Sequence, residues 1–139
     1  MLSVADAHKS IRELFKDTIT DGGDGGDAVS TCWPNMAFDA PDNSIWCSVD
    51  IPGEVDNQAE IGGSTKRHRT EGSMMVTINE PKDQGSGASE AIAARVINAF
   101  SSVTYEGVTF RSSGITSQSR HERWFQTVVT CPFYFDTFR

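Results

Sequence analysis

The sequence predicts an α+β domain, with two helices packed on one face of a mainly antiparallel sheet of about four to five strands, joined by long polar loops. Three observations carry this. Apolar residues recur at helical spacing in two segments, and they alternate at strand spacing in 45–51, 73–80 and 123–138. The order is helix, two strands, helix, two strands. The 139 residues suit a single domain spanning 1–139, which hides roughly two-thirds of its unfolded surface without staples.

The first segment reads as a helix opened by a capping box, Ser3 with Asp6. Val4, Ile11, Leu14, Phe15 and Ile19 then form one apolar stripe, and Asp21-Gly22-Gly23 ends it. From 21 to 43 the chain is a long loop rich in glycine and acid, punctuated by Trp33-Pro34 and Ala40-Pro41, with room for a short strand. Ile45, Cys47, Val49 and Ile51 alternate against Trp46, Ser48 and Asp50, the pattern of a half-buried strand. Pro52-Gly53 stops it, and a second polar loop is expected over 53–71. Ser73 to Glu80 alternates again, with Met74, Val76 and Ile78 inward.

Pro81 to Gly87 reads as a turn, with Ser86 or Ser89 capping a second helix. Its apolar face is Ala88, Ile92, Val96, Ala99 and Phe100. Val103 to Phe110 is a short strand bent at Gly107, and Ser112 to Ser119 is polar without pattern. Arg123 to Phe138 carries the strongest strand signal. Phe125, Thr127, Val129, Cys131, Phe133 and Phe135 face one way, while Trp124, Gln126, Val128, Thr130, Pro132 and Tyr134 face the other. Proline lacks an N–H, so Pro132 predicts a sheet edge or bulge.

Composition excludes several function classes. The net charge of −7 disfavours a general nucleic-acid binder, which needs a basic face to displace phosphate counterions. No apolar run approaches the roughly 20 residues of a membrane helix, and the N-terminus offers no basic-then-apolar secretion signal. Cys32, Cys47 and Cys131 are odd in number and widely spaced, which fits neither a disulfide framework nor a zinc site and predicts reduced thiols made in a cytoplasm.

Residues 22–30 fit the nine-residue calcium repeat of parallel β-helices. Such sites share ions between stacked copies and here there is one, so an acidic loop is the stronger reading. Gly85-Ser86-Gly87 lacks the Gly-Lys-Ser/Thr of a phosphate loop and reads as a helix cap. His121-Glu122 has no second histidine at metalloprotease spacing, and no nucleophile elbow occurs. No catalytic, cofactor-binding or metal residue is therefore assigned, and no enzyme activity is expected.

Two features point to contact surfaces. Lys66-Arg67-His68-Arg69 is the single basic cluster of an acidic chain, and reads equally as a solvated loop or a docking patch. Trp46, Trp124 and Tyr134 fall on the strand faces opposite the core, which predicts a second helix layer, burial against another chain, or ordinary packing on a two-sided sheet. The candidate interface residues are Trp46, Lys66, Arg67, Arg69, Trp124 and Tyr134.

Three blocks then resemble the tail terminators, or tail completion proteins, of long-tailed bacteriophages. The first is an N-terminal helix followed, after a loop, by the Trp-bearing strand Ile45-Trp46-Cys47-Ser48-Val49-Asp50-Ile51. The second runs from Arg69-Thr70-Glu71-Gly72 through a strand and a Pro- and Gly-containing turn to an alanine-rich helix ending in Phe100. The third is the aromatic, proline-broken closing strand from Trp124 through Cys131-Pro132-Phe133-Tyr134-Phe135-Asp136. The 21–43 loop departs from the family by its length and glycine content.

The resemblance implies a non-enzymatic virion subunit at the head-proximal end of the tail. It would form a six-fold ring that caps the tail tube, ends its polymerisation and receives the head–tail connector protein. Its partners would be copies of itself, the tube protein and the connector, with DNA passing through unread, no membrane and no cofactor. The alternatives are another neck or tail component (a connector or a tube protein) and a small calcium-dependent binding module on the 21–30 loop.

Overall fold

The computed structural model describes residues 2–41, 43–58, 63, 66–83 and 85–138. Helix α1 spans Val4–Phe15 and opens with the predicted capping box, each of Ser3 and Asp6 accepting the other's backbone N–H at 3.1 and 3.3 Å. The helix then widens into a π-type turn over Lys16–Thr20, which carries Ile19 into the core beside Ile11 and Phe15. Val4, at the exposed start of the helix, stays outside.

Strand β1 (Ser30–Cys32) is the short strand within the first loop, and it pairs in parallel with β2 (Trp46–Asp50). The second expected loop is largely strand. β3 (Glu54–Gln58) forms an antiparallel pair with the start of β4 (Arg67–Pro81), so β4 begins well before Ser73. Residues 59–62, 64 and 65 of the predicted 53–71 loop lie outside the described residues, as does 84 in the predicted 81–87 turn.

Helix α2 (Gly87–Ala99) follows. Neither serine side chain caps its N-terminus. The buried Glu80 carboxylate, at the end of β4, accepts the Ser89 N–H at 3.1 Å. Ile92, Ala93 and Val96 are buried on its inner face together with Phe100, whereas Ala88 is exposed. The expected single strand 103–110 is instead a hairpin of β5 (Thr104–Tyr105) and β6 (Val108–Phe110). Its turn places Glu106 and Gly107 at φ of 48° and 86°, the left-handed pair that matches strand twist in a two-residue hairpin. The stretch expected to be unpatterned is β7 (Gly114–His121), which pairs with β8 (Trp124–Phe138).

The sheet therefore has eight strands where about four to five were expected, and it is mixed because β1 and β2 run in parallel. Long β4 and β8 pair along their whole length, from Arg67 opposite Phe138 to Pro81 opposite Trp124. At one end of this pair the order is β1-β2-β4-β8-β7, and at the other β3-β4-β8-β6-β5. Pro132 thus sits in an inner strand, contrary to expectation. Its carbonyl accepts the Arg111 N–H at 2.9 Å, and a strand residue's N–H and C=O point to the same side. The missing N–H therefore faces the joint where β6 hands over to β7.

Both helices contribute to one buried cluster on the inner face of the sheet, with Cys47, Val49, Met74, Val76, Ile78, Val129, Cys131, Phe133 and Phe135. Phenylalanine rings link its parts: Phe15 to Phe100 at 6.0 Å, Phe100 to Phe110 at 5.0 Å and Phe110 to Phe133 at 6.0 Å. All three cysteines are free thiols, and burial pushes Cys47 and Cys131 up to about 11.

Candidate interaction surface

Side chains alternate across a strand, so the inward set of β2, β4 and β8 leaves a second set on the opposite, outer face. Among the described residues no helix covers it. The centre of that face is small or moderately apolar: Ser48, Thr77 and Val128 form one row across β2, β4 and β8, and Ser73 and Pro132 another. Each is half-buried.

The sequence-predicted residues divide between the two ends of this face. Trp46 and Trp124 meet edge-to-face at 5.8 Å at one end. Phe38, from the long first loop, lies over Trp46 at 5.2 Å, and Arg123 stacks on Trp124 at 5.1 Å. Trp124 is 7% exposed. Ordinary packing under a loop thus accounts for part of this aromatic corner, and the expected second helix layer is not seen among the described residues. The Trp46 indole N–H is buried with no hydrogen-bond partner among the described residues.

Tyr134, Arg67 and Arg69 lie at the other end, about 30 Å away along the strands. Arg69 holds Asp136 in a two-point contact of 2.9 and 3.1 Å and its guanidinium covers the Tyr134 ring at 4.3 Å. Arg111 approaches the same ring at 4.8 Å and pairs with Glu71 at 3.0 Å. Tyr134 thus sits against two cations, each neutralised by its own carboxylate. The hydrogen bonds from Arg69 hold the Asp136 carboxyl below its usual range.

The basic cluster is accordingly not a solvated loop. Arg67, His68 and Arg69 belong to β4, half-buried, with Lys66 just before it. His68 faces the other way and lies 3.6 Å from Asp56 of β3. Arg111, Glu71, Asp136 and Phe38 were missed from sequence. Glu71 and Asp136 share strand parity with Arg69 and Tyr134 and were legible in principle, but Arg111 and Phe38 reach the surface from other parts of the fold.

The candidate calcium segment is held by an arginine. Arg95 of α2 donates to both oxygens of Asp24, each at 2.9 Å, and to the Asp27 carbonyl at 2.9 Å. These bonds hold the Asp24 carboxyl below its usual range. A Cβ on Gly26 would come within 2.5 Å of the Arg95 guanidinium carbon, so glycine there admits the clasp. Among the described residues no three His, Cys, Asp or Glu side chains converge as a metal site would require. The Gly85–Gly87 turn is likewise served from within, because Glu80 takes the helix N–H that an anion would use.

The outer face thus carries rings and paired charges at its two ends. Among solved structures, a protein known only by a serial designation shares this fold with a TM-score of 0.58, at 18% identity over 95% of this chain and 96% of that one. The comparison with curated proteins returns no match. The family model described as phage tail terminator protein matches residues 8–133, from α1 through most of β8. No helix is long and apolar enough to cross a membrane among the described residues. This chain belongs to the phage tail terminator proteins, structural rather than enzymatic components of the bacteriophage tail.

Proposed function

We propose that copies of this chain form a six-fold ring on the head-proximal end of the tail tube, where the ring ends tube growth and receives the head–tail connector. The observation that carries the reading is the outer face of the sheet, free of any helix among the described residues and bearing an aromatic cluster at one end and a Tyr–Arg cluster at the other. Aromatic and arginine side chains are the types that anchor protein interfaces. Two such clusters about 30 Å apart give one subunit separate footholds for a tube below and a connector above. The net charge of −7 supports a channel past which DNA slides without being held.

The test is to mix purified protein with tail tubes, image them by negative stain and weigh the free assemblies by native mass spectrometry. Six-copy rings and tube ends closed by an extra layer of density are expected. Protein that makes no ring and leaves tube ends bare would refute the proposal. Open-ended polymerisation would mark a tube protein instead, and binding to tailless heads alone a connector.

A further inference from the structure

Helix α1 carries opposite charge on its two exposed flanks. Lys9, Arg12 and Lys16, spaced three and four residues apart, share one stripe that runs into the π-type turn. They line a groove of about 570 Å3 together with Trp33, Pro34 and Met36 from the long first loop. Trp33 is fixed edge-on against buried Phe15 at 5.8 Å, while Met36 is 66% exposed, so the loop side of the groove is an apolar surface open to solvent. Lys16 reaches Asp21 at 2.7 Å and Lys9 reaches Glu13 at 3.9 Å. Arg12 between them is exposed and makes no ion pair among the described residues.

The other flank is acidic. Asp17 follows Arg12 by five residues, about 140° round the helix, and is exposed. The β5–β6 hairpin packs beside α1 and brings up Tyr105, half-buried, and Glu106, exposed at its turn. Desolvation, then the charges of Glu106, Glu13 and Asp17, push the Tyr105 phenol above its ordinary value, so these carboxylates rim the ring. Neither Asp17 nor Glu106 makes an ion pair among the described residues. An aromatic ring rimmed by carboxylates is the complement of an apolar groove rimmed by cations. The chain holds 19 acidic residues against 12 basic, so this groove is an exception on its surface and a copy of the chain is a partner that fits it. Two grooves set face to face would oppose Arg12 to Arg12, whereas flank on groove opposes unlike charges.

We propose that the acidic flank of one copy, with Tyr105, Asp17 and Glu106, docks into the groove between α1 and Trp33–Met36 of the next, where Arg12 and Lys9 meet the carboxylates. This rests on the ring reading above and names the surface that joins one copy to the next. Because the two surfaces differ and lie on opposite sides of one helix, the contact is head-to-tail, the kind that closes into a ring.

The test is charge exchange, read as the fraction of six-copy rings in native mass spectrometry, with thermal melts confirming that each variant folds. A groove variant, Lys9→Glu with Arg12→Glu, and a flank variant, Asp17→Lys with Glu106→Lys, are each expected to lower that fraction roughly tenfold or more. All four changes in one chain should restore it, because every groove then meets a flank of opposite charge. Groove and flank variants that assemble like wild type, or a full exchange no better than either, would overturn this contact while leaving the ring standing. A wild-type chain that makes no ring overturns both.

Discussion

Arg95 and Asp24 lie 71 residues apart in sequence and meet in two hydrogen bonds of 2.9 Å, so that α2 holds the glycine-rich loop against the body of the fold. Their side chains are 20% and 21% exposed, which makes this the more enclosed of the arginine–carboxylate pairs. Asp24→Asn is expected to cost about 1 kcal/mol at neutral pH. The Asp24 carboxyl sits below its usual 3.8, so folding favours the ionised form. Its contribution is full above 3.8 and lost as pH falls through the lowered value. Urea melts from pH 7 to pH 2 should show wild type and Asp24→Asn converging in acid. A gap that stays constant would mean the charge does not matter.

The cap on α2 gives a second prediction. Glu80→Ala removes the acceptor for the buried Ser89 N–H and should cost about 1–2 kcal/mol. Ser86→Ala should cost only a few tenths, because the Ser86 hydroxyl accepts no helix N–H and instead donates to Glu90 at 2.9 Å. Thermal denaturation of both variants tests the order, and equal losses would contradict it.

Thiol reactivity offers a third. Thiolates are the reactive form, and burial pushes Cys47 and Cys131 up to about 11. Cys32 is half-exposed. At pH 8 a disulfide reagent should therefore label one thiol in the native protein and three after unfolding. Rapid native labelling of all three would show that the core opens readily.

Trp46 supplies a fourth. Its buried indole N–H lacks a partner among the described residues, and an unmet donor costs about 1–3 kcal/mol. Trp46→Phe keeps a ring beside Phe38 and Trp124 while removing that donor, so stability should change by less than about 1 kcal/mol. A much larger loss in a denaturant melt would show that the N–H is satisfied in solution.

How much of this was legible in the sequence depended on whether an element buries one face. α1, its capping box, α2, β2, the second half of β4 and β8 were all readable, because each turns a periodic apolar set to the core. β3 and β7 were not. Both are edge strands, exposed along nearly all their length, so no burial imprints a period on them. Polar residues at such positions look the same in a strand as in a loop.

The candidate surface divides the same way. Parity alone put Trp46, Trp124 and Tyr134 on the outer face, whereas Arg69 read only as part of a basic cluster in a polar loop and joins that face because β4 begins at Arg67. That Arg111 joins Tyr134, that Phe38 covers Trp46 and that Arg95 clasps Asp24 was decided only when distant segments packed together. Sequence determined the periodic elements and which face of each turns inward, because burial is a local demand on residue type. Tertiary structure decided the partners of the polar groups, because a hydrogen bond or ion pair depends on positions in space that local spacing does not encode.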